Sequence, residues 1–462
     1  MQWQNLYSAE RLSDRITGKT PNPDVVRNSF HRDYDRIIFS SAFRRLQNKT
    51  QVFPLPGAVL VHNRLTHSLE VASVGRSLGK AVGEKISASY PDSDEAFHNF
   101  YRYDLANVIA AACLAHDIGN PPFGHSGEDA IRAFFKEGDP RIREVMDQDL
   151  SLNQRMDFER FEGNSNAFRT LTHTFNETRS PYNLTLTTLA SIVKYPSSSK
   201  EGFDKKSGLI ATRKSGFFDS EIPQFRMIAE RFELNRQPGF QDVYCRHPFV
   251  YLTEAADDIC YRIIDLEDAH RLGITSLQEM EALFLPFFEG QKDYFQRAKL
   301  ESGIAAIHSA NQKIQYLRAM WIGLMTHMLS SVFMEHEEEL LQGTLQQSLM
   351  ELLPERERNL LKQIDQYAVK QVYNYRSVVA IEIAGFQVIG QLLEAFVQAA
   401  QTPERLKSSK LLQLIPEQFI IKNGSENLYG NIQSVVDYIA GMTDLYAIDI
   451  YRKITGIEIA PI

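Results

Sequence analysis

One stretch limits the folds open to this chain more than any other. From Leu105 to Ala115, ten of eleven residues are apolar. That density predicts a helix buried on nearly all sides, not one lying on a surface. Eleven residues are too few to span a bilayer. The run ends in His116-Asp117, and Gly119 with Pro121-Pro122 stops the helix there. An imidazole and a carboxylate delivered together into a dry interior need strong partners, because an unpaired buried charge is costly. A divalent metal is one such partner, and a hydrogen-bonded core pair is the other.

Two distant segments favour the metal. A helix predicted from about Asn63 to Ser87 carries Arg64 and His67 three residues apart, on one side. From Pro248 onward, Leu252, Ala255, Ala256, Ile259, Ile263 and Leu266 form an apolar stripe at helical spacing. Asp257, Tyr261 and Asp265, spaced by four, form the opposite polar stripe. Asp258 lies about 60° off the centre of that stripe, so Asp257 is the better ligand candidate. After the central run, His125 and Glu128 stand at i and i+3, where the carboxylate can hold the imidazole as a proton donor. Two imidazoles and two carboxylates make a mixed nitrogen and oxygen site suited to Mn²⁺, Mg²⁺ or Fe²⁺, with no thiolate in it.

The order His67, then His116-Asp117, then Asp257, each on its own helix, resembles the HD-domain phosphohydrolases. The match widens with Phe43 to Phe53, Arg64 to Val71, His116 to Glu128 and Phe161-Glu162-Gly163-Asn164. Together these resemble bacterial dGTP triphosphohydrolases over roughly residues 20 to 270, and beyond that only in general helical character. One departure is Ser165-Asn166 after that last motif, where the family has a small residue and Gln.

The resemblance implies an all-α, mainly helical HD-domain fold, with at most a small β-hairpin around residues 195–222. It implies a phosphohydrolase core over 1–275 with an N-terminal wrap, and a helical region over 276–462 that packs on the core and forms subunit contacts. The implied reaction attacks the α-phosphorus of dGTP or another dNTP with water and releases deoxynucleoside and intact triphosphate. His67, His116, Asp117 and Asp257 would hold the metal, which lowers the pKa of water and polarises a phosphoryl oxygen. Arg64 would pair with phosphate. His125, oriented by Glu128, would protonate the departing 5′ oxygen. Asp265 would accept from the 3′-hydroxyl, Tyr261 would leave no room for a 2′-hydroxyl, and Gln51 and Val52 would lie against the base. His62 and Asn120 are candidates for supporting that centre. Family habit further implies a homo-oligomer, a hexamer in the favoured case, and a single-stranded DNA or nucleotide effector.

Composition bounds the rest. Against 50 basic residues stand 58 acidic ones, a net charge of −8, so any phosphate site is a local basic patch in an acidic protein. Three cysteines, two of them in apolar helices, fit a reducing compartment better than a disulfide framework. The N-terminus has neither the basic start nor the apolar run of a signal peptide, and the expectation is a cytoplasmic protein with no membrane partner. Residues 1 to 30, with Pro21 and Pro23, are expected to wrap the surface, and Pro54, Pro56 and Gly57 to form a loop. Arg32, Arg36, Arg44, Arg45 and Lys49 suggest a positive wall facing phosphates, about half of them being merely solvated. Tyr90 to Asn99 reads as a surface excursion. The family places a substrate-channel loop around Lys214-Ser215-Gly216-Phe217-Phe218. Tyr316 to Glu335, Leu360 to Ala400 and Asn431 to Ile454 read as long amphipathic segments without a ligand cluster, in a region helical almost throughout. Two rival functions remain at this point. One is a different HD phosphohydrolase, a 5′-nucleotidase or phosphodiesterase. The other is a nucleotide or single-stranded-DNA-binding regulator whose metal site is vestigial.

Overall fold

A computed structural model describes residues 1–18, 27–53, 61–175, 180, 182–292, 295–419 and 427–457; Pro21, Pro23 and the loop expected at Pro54, Pro56 and Gly57 lie outside these. The elements that matter for the site are α1 (Ser29–Ile38), α2 (Arg64–Ser89), α3 (Leu105–Ala115), α4 (His125–Glu137), α5 (Gly163–Thr172) and α6 (Val250–Arg271). In the C-terminal half they are α7 (Ala310–Glu335), α8 (Glu355–Ala368), α9 (Arg376–Gln401), α10 (Leu428–Ala440) and α11 (Asp444–Thr455).

The apolar run forms α3, and every one of its apolar residues except Ala106 is buried. It packs against α1, α2 and α6. The approach of α2 is unusually close because Gly75 and Gly79 face α3 and Gly83, a turn further on, faces the π-helical turn Phe100–Asp104 that leads into it. A Cβ at these positions would lie 2.5 Å from Cys113 Sγ, 3.0 Å from Ala106 Cα and 1.9 Å from the Tyr101 carbonyl oxygen, respectively. At its start α2 is fixed by a reciprocal cap. Asn63 accepts from the Thr66 amide, and the Thr66 hydroxyl accepts from the Asn63 amide. The cap places Arg64 and His67 in the first turn, level with the end of α3.

Two hydrophobic cores result. The larger surrounds α3 and extends through α6, α7 and α8. The second joins α4 and the following segments, with Phe135, Phe158 and Phe161, to α9, α10 and α11. The site lies where α4 and α9 meet the first core.

The local expectations hold except at the N-terminus. Over 195–222 the pairing stays within the small hairpin allowed at most: among the described residues it is limited to single bridges, Ser197 with Val243 and Ser198 with Phe217. Glycine- and lysine-rich sequence gives that segment no alternating apolar face to pair. The N-terminal residues do not simply wrap the surface, because Trp3 and Leu6 are fully buried, Trp3 stacking on Phe249. Tyr90 to Asn99 is the surface excursion expected, mostly exposed and anchored by buried Phe97. The amphipathic stretch Leu360–Ala400 is helical as expected, in two pieces. A turn of π-helix over Val369–Tyr373 ends α8, and α9 starts afresh at Arg376. Among the described residues, α9 alone is long and apolar enough to cross a membrane by length and composition.

Candidate metal centre and active-site cavity

The helix α3 ends at Ala115, and His116 and Asp117 follow in a tight turn. The Nδ1 of His116 is 2.6 Å from the Cys113 carbonyl oxygen. That bond makes Nδ1 the donor and leaves Nε2 as a free lone pair facing inward. Gly119 lets the turn close, since a Cβ there would sit 2.1 Å from the Ala167 amide of α5. Asn166, the residue that departs from the family pattern, donates to the Gly119 carbonyl at 2.7 Å and pins the same turn.

Three helices now converge. His67 Nε2 lies 3.2 Å from Asp257 Oδ1, and His116 Nε2 lies 3.5 Å from the same oxygen. One ligand atom from each of these three residues falls within 4.8 Å of the others. Asp117 is at the edge of this group, its Oδ1 3.6 Å from His116 Nε2, while Oδ2 accepts from Arg64 at 2.7 Å. Asn120 donates to Asp117 Oδ1. Burial pushes the Asp117 carboxyl upward, but the Arg64 guanidinium beside it opposes this and the carboxyl is held below the usual range. For Asp257 burial acts the same way, and Lys194, donating to its Oδ2 at 2.7 Å, overcomes it. The donor set of two inward imidazoles and two ionised carboxylates fits a divalent cation. Cys113 and Cys260 point into the core, where burial pushes both thiols up, and take no part.

A cavity of about 560 Å³ opens in front of this cluster, the size expected for a small-molecule site. It brings together every site residue expected from the sequence: Gln51, Val52, Arg64, His67, His116, Asp117, His125, Glu128, Asp257, Tyr261 and Asp265. His125 projects into it with its side chain 79% exposed, and its Nδ1 is 3.0 Å from Glu128 Oε2. Glu128 is itself buried and anchored by the Gly163 amide at 2.7 Å. Its hydrogen bond and charge raise the His125 pKa, while His125, Lys214 and Arg132 overcome burial and bring Glu128 down to about 2. The Gln51 Oε1 atom is buried without a partner among the described residues.

The basic wall is differently made than expected. Among the described contacts, Arg36 spends its guanidinium on the carbonyls of Tyr182 and Asn183, and Arg44 lies over the Phe39 ring. Lys49 is buried against the carbonyls of Asn120 and Ala440, and desolvation brings it down to about 7. None of Arg32, Arg36, Arg44, Arg45 or Lys49 lines the cavity; its cations are Arg64, Lys194 and Lys214. Lys214 comes from the segment flagged in the sequence and donates to Glu162 at 2.8 Å. Lys194 and Tyr195 escaped sequence reasoning, because a Lys-Tyr pair ahead of a serine run carries no pattern of its own. Tyr373, Val378 and Ile381 also line the cavity, from the C-terminal half that was expected to lack ligands. The signal available was Tyr373-Asn374-Tyr375, a poor helix interior between two apolar runs. His62 stands behind the wall, its Nδ1 2.8 Å from Asp268 and its Nε2 3.4 Å from Glu70.

Comparison with known proteins gives the chain's family and relatives. Residues 64–269 match the HD domain, and residues 352–453 match the phosphohydrolase-associated domain. A deoxyguanosinetriphosphate triphosphohydrolase-like protein of Synechocystis is 39% identical over 99% of this chain and the whole of that protein. A protein of Pseudomonas aeruginosa with the same description is 36% identical over 99% of both chains. A deoxyguanosinetriphosphate triphosphohydrolase of Yersinia enterocolitica is 32% identical over 93% of this chain and 94% of its own length.

Proposed function

This chain belongs to the HD-domain phosphohydrolase family, and from that premise we propose that it is a metal-dependent dNTP triphosphohydrolase acting on dGTP. The observation that carries the reading is the cavity itself. One space holds a His/Asp cluster, three cations, a carboxylate-backed imidazole and a Tyr/Asp pair on one helix. A monophosphate would use only part of that positive lining, whereas a triphosphate engages it all.

Each group has a task in this scheme. A divalent cation held by His67, His116, Asp117 and Asp257 supplies Lewis acidity toward a phosphoryl oxygen and a stronger water nucleophile. Arg64, Lys194 and Lys214 neutralise the polyphosphate, the fork of Arg64 being suited to two oxygens at once. Water adds to the α-phosphorus, and the bond from phosphorus to the 5′ oxygen breaks. His125 gives its proton to that departing oxygen while Glu128 keeps the ring charged and aimed. The products are deoxynucleoside and inorganic triphosphate. Asp265 accepts the 3′-hydroxyl, Tyr261 closes the space a 2′-hydroxyl would need, and Gln51 with Val52 meets the base.

The decisive experiment is chromatography of products from each of the four dNTPs and GTP, with Mn²⁺ and Mg²⁺ compared. Intact triphosphate from dGTP, and none from GTP, supports the proposal. Orthophosphate or a monophosphate product would replace it with a nucleotidase or phosphodiesterase, and no turnover with any metal would replace it with a binding role.

A further inference from the structure

The turn between α10 and α11 lies outside the cavity, yet it carries a buried carboxylate that serves two loops of it. Asp444 is only 4% exposed. The Thr50 amide donates to its Oδ2 at 2.8 Å, and the Phe123 amide donates to its Oδ1 at 3.0 Å. These donors lie 394 and 321 positions away along the chain. The helix that starts at Asp444 does not use this side chain as its cap. Thr443 caps it, its hydroxyl accepting from the Tyr446 amide. Both oxygens of Asp444 are spent on the loops.

Each loop faces the substrate space. Thr50 precedes Gln51 and Val52, Phe123 precedes Gly124 and His125, and all six line the cavity. The second loop needs outside help to keep its shape. Phe123 has φ of 63° and Gly124 of 60°. A bulky residue in the left-handed region costs on the order of 1–3 kcal/mol, and persists only where its surroundings impose it. A bond from the Phe123 amide to a buried carboxylate is such an imposition. It acts directly ahead of the imidazole that faces the cavity. Lys49, at the start of the first loop, adds a tie in the same place. It donates to the Asn120 carbonyl on the second loop and to the Ala440 carbonyl at the end of α10.

We propose that Asp444 is a positioning residue for the reaction. By holding the Thr50 and Phe123 amides on its two oxygens, it sets the Gln51 loop and the His125 loop in fixed relation across the substrate space. This role rests on the function proposed above, with His125 as proton donor.

Two variants test it, circular dichroism verifying the fold of each. Asp444→Asn is nearly isosteric but offers one acceptor oxygen in place of two, so one amide is left facing an N–H donor. Asp444→Ser withdraws from both amides and leaves room for water there. A double-mutant cycle with His125→Ala separates aiming of the donor from general support. In either Asp444 variant kcat for dGTP is expected to fall about 10–100-fold, the cost of a small misplacement of a reacting group. In the His125→Ala background the same substitution should change kcat by less than about threefold. Mn²⁺ affinity, measured by titration, should stay within about threefold of wild type, since the ligands come from α2, α6 and the end of α3, none of them tied to Asp444. An unchanged kcat in both variants overturns the proposal. So does a loss of kcat that is as large in His125→Ala as in wild type, or Mn²⁺ binding that weakens in step with kcat. Loss of fold in both variants assigns Asp444 to stability alone and overturns it too. Wild type that releases no triphosphate from dGTP overturns the function proposed above, and this role with it.

Discussion

The Tyr373 hydroxyl donates to Asp265 Oδ2 at 2.8 Å, joining the two halves of the chain across 108 positions. Burial pushes the Asp265 carboxyl up to about 7, against the opposing pull of His67 and of this bond. The tyrosine therefore holds one carboxylate oxygen and leaves the other for substrate. Tyr373→Phe keeps the ring and removes that bond. A lost hydrogen bond to a charged acceptor is worth about 1.5–3 kcal/mol, so KM for dGTP is expected to rise at least about tenfold while kcat changes less. Steady-state kinetics on the purified variant checks this, and an unchanged KM would exclude a sugar-side role for Asp265.

The pair His125 and Glu128 predicts a pH dependence with a definite sign. Glu128 raises the His125 pKa, so the imidazole keeps its proton to higher pH than a free histidine. A proton donor loses activity as pH rises through its own pKa. Glu128→Gln removes the raising charge and leaves Lys214 and Arg64, which lower the His125 pKa. The basic limb of the kcat profile should then move to lower pH by about one unit. His125→Ala should remove that limb and lower kcat about 10²–10⁴-fold. A basic limb that stays in place in Glu128→Gln would show that another group delivers the proton.

Metal removal separates the cluster from its supports. His116→Ala deletes an inward lone pair, and loss of an outer partner alone costs about 10–100-fold in metal affinity. Loss of a ligand should exceed that, leaving the protein without stoichiometric metal by elemental analysis and without triphosphate release. Chelation of wild type should abolish turnover, and Mn²⁺ should restore it. Turnover by metal-free His116→Ala at near wild-type rate would end the metal assignment.

These sites differ in how far the sequence announced them. The end of α3 was legible because an apolar run of helix length is a strong local signal, and a His-Asp pair at its end needs a partner. Asp257 was legible from helical period, since only one register puts it with Tyr261 and Asp265. The basic wall was misread because charge on a short segment says nothing about direction; Lys49 and Arg36 satisfy backbone carbonyls instead. Tyr373 was missed for a different reason, since the break at Tyr373-Asn374-Tyr375 signals a change of direction but not where the ring goes. It reaches the cavity only because the π-turn before Asn374 redirects the chain, and side-chain periodicity does not report where such a break points.

The glycines of α2 were passed over in the sequence, yet they decide whether His67 and His116 can meet. Gly83 faces the Tyr101 carbonyl oxygen, and an added Cβ would stand 1.9 Å from it. In an open helix, Gly→Ala gains about 1 kcal/mol from backbone preference. Here the obstacle is backbone on a packed helix, not a flexible side chain, so α2 must shift, and overpacking of this kind costs about 1–3 kcal/mol or more. The penalty wins, and Gly83→Ala is expected to lower Tm by about 1–2 °C in a thermal melt, since about 1 kcal/mol moves the Tm of a chain this long by about 1 °C. Gly79→Ala, whose Cβ would meet Ala106 Cα at 3.0 Å, should cost less. Because α2 carries His67 at its other end, a shift of the helix axis should also weaken metal binding, measured by titration with Mn²⁺. An unchanged or higher Tm for Gly83→Ala would mean that the spacing between α2 and α3 is set elsewhere, and that the ligand geometry does not depend on this contact.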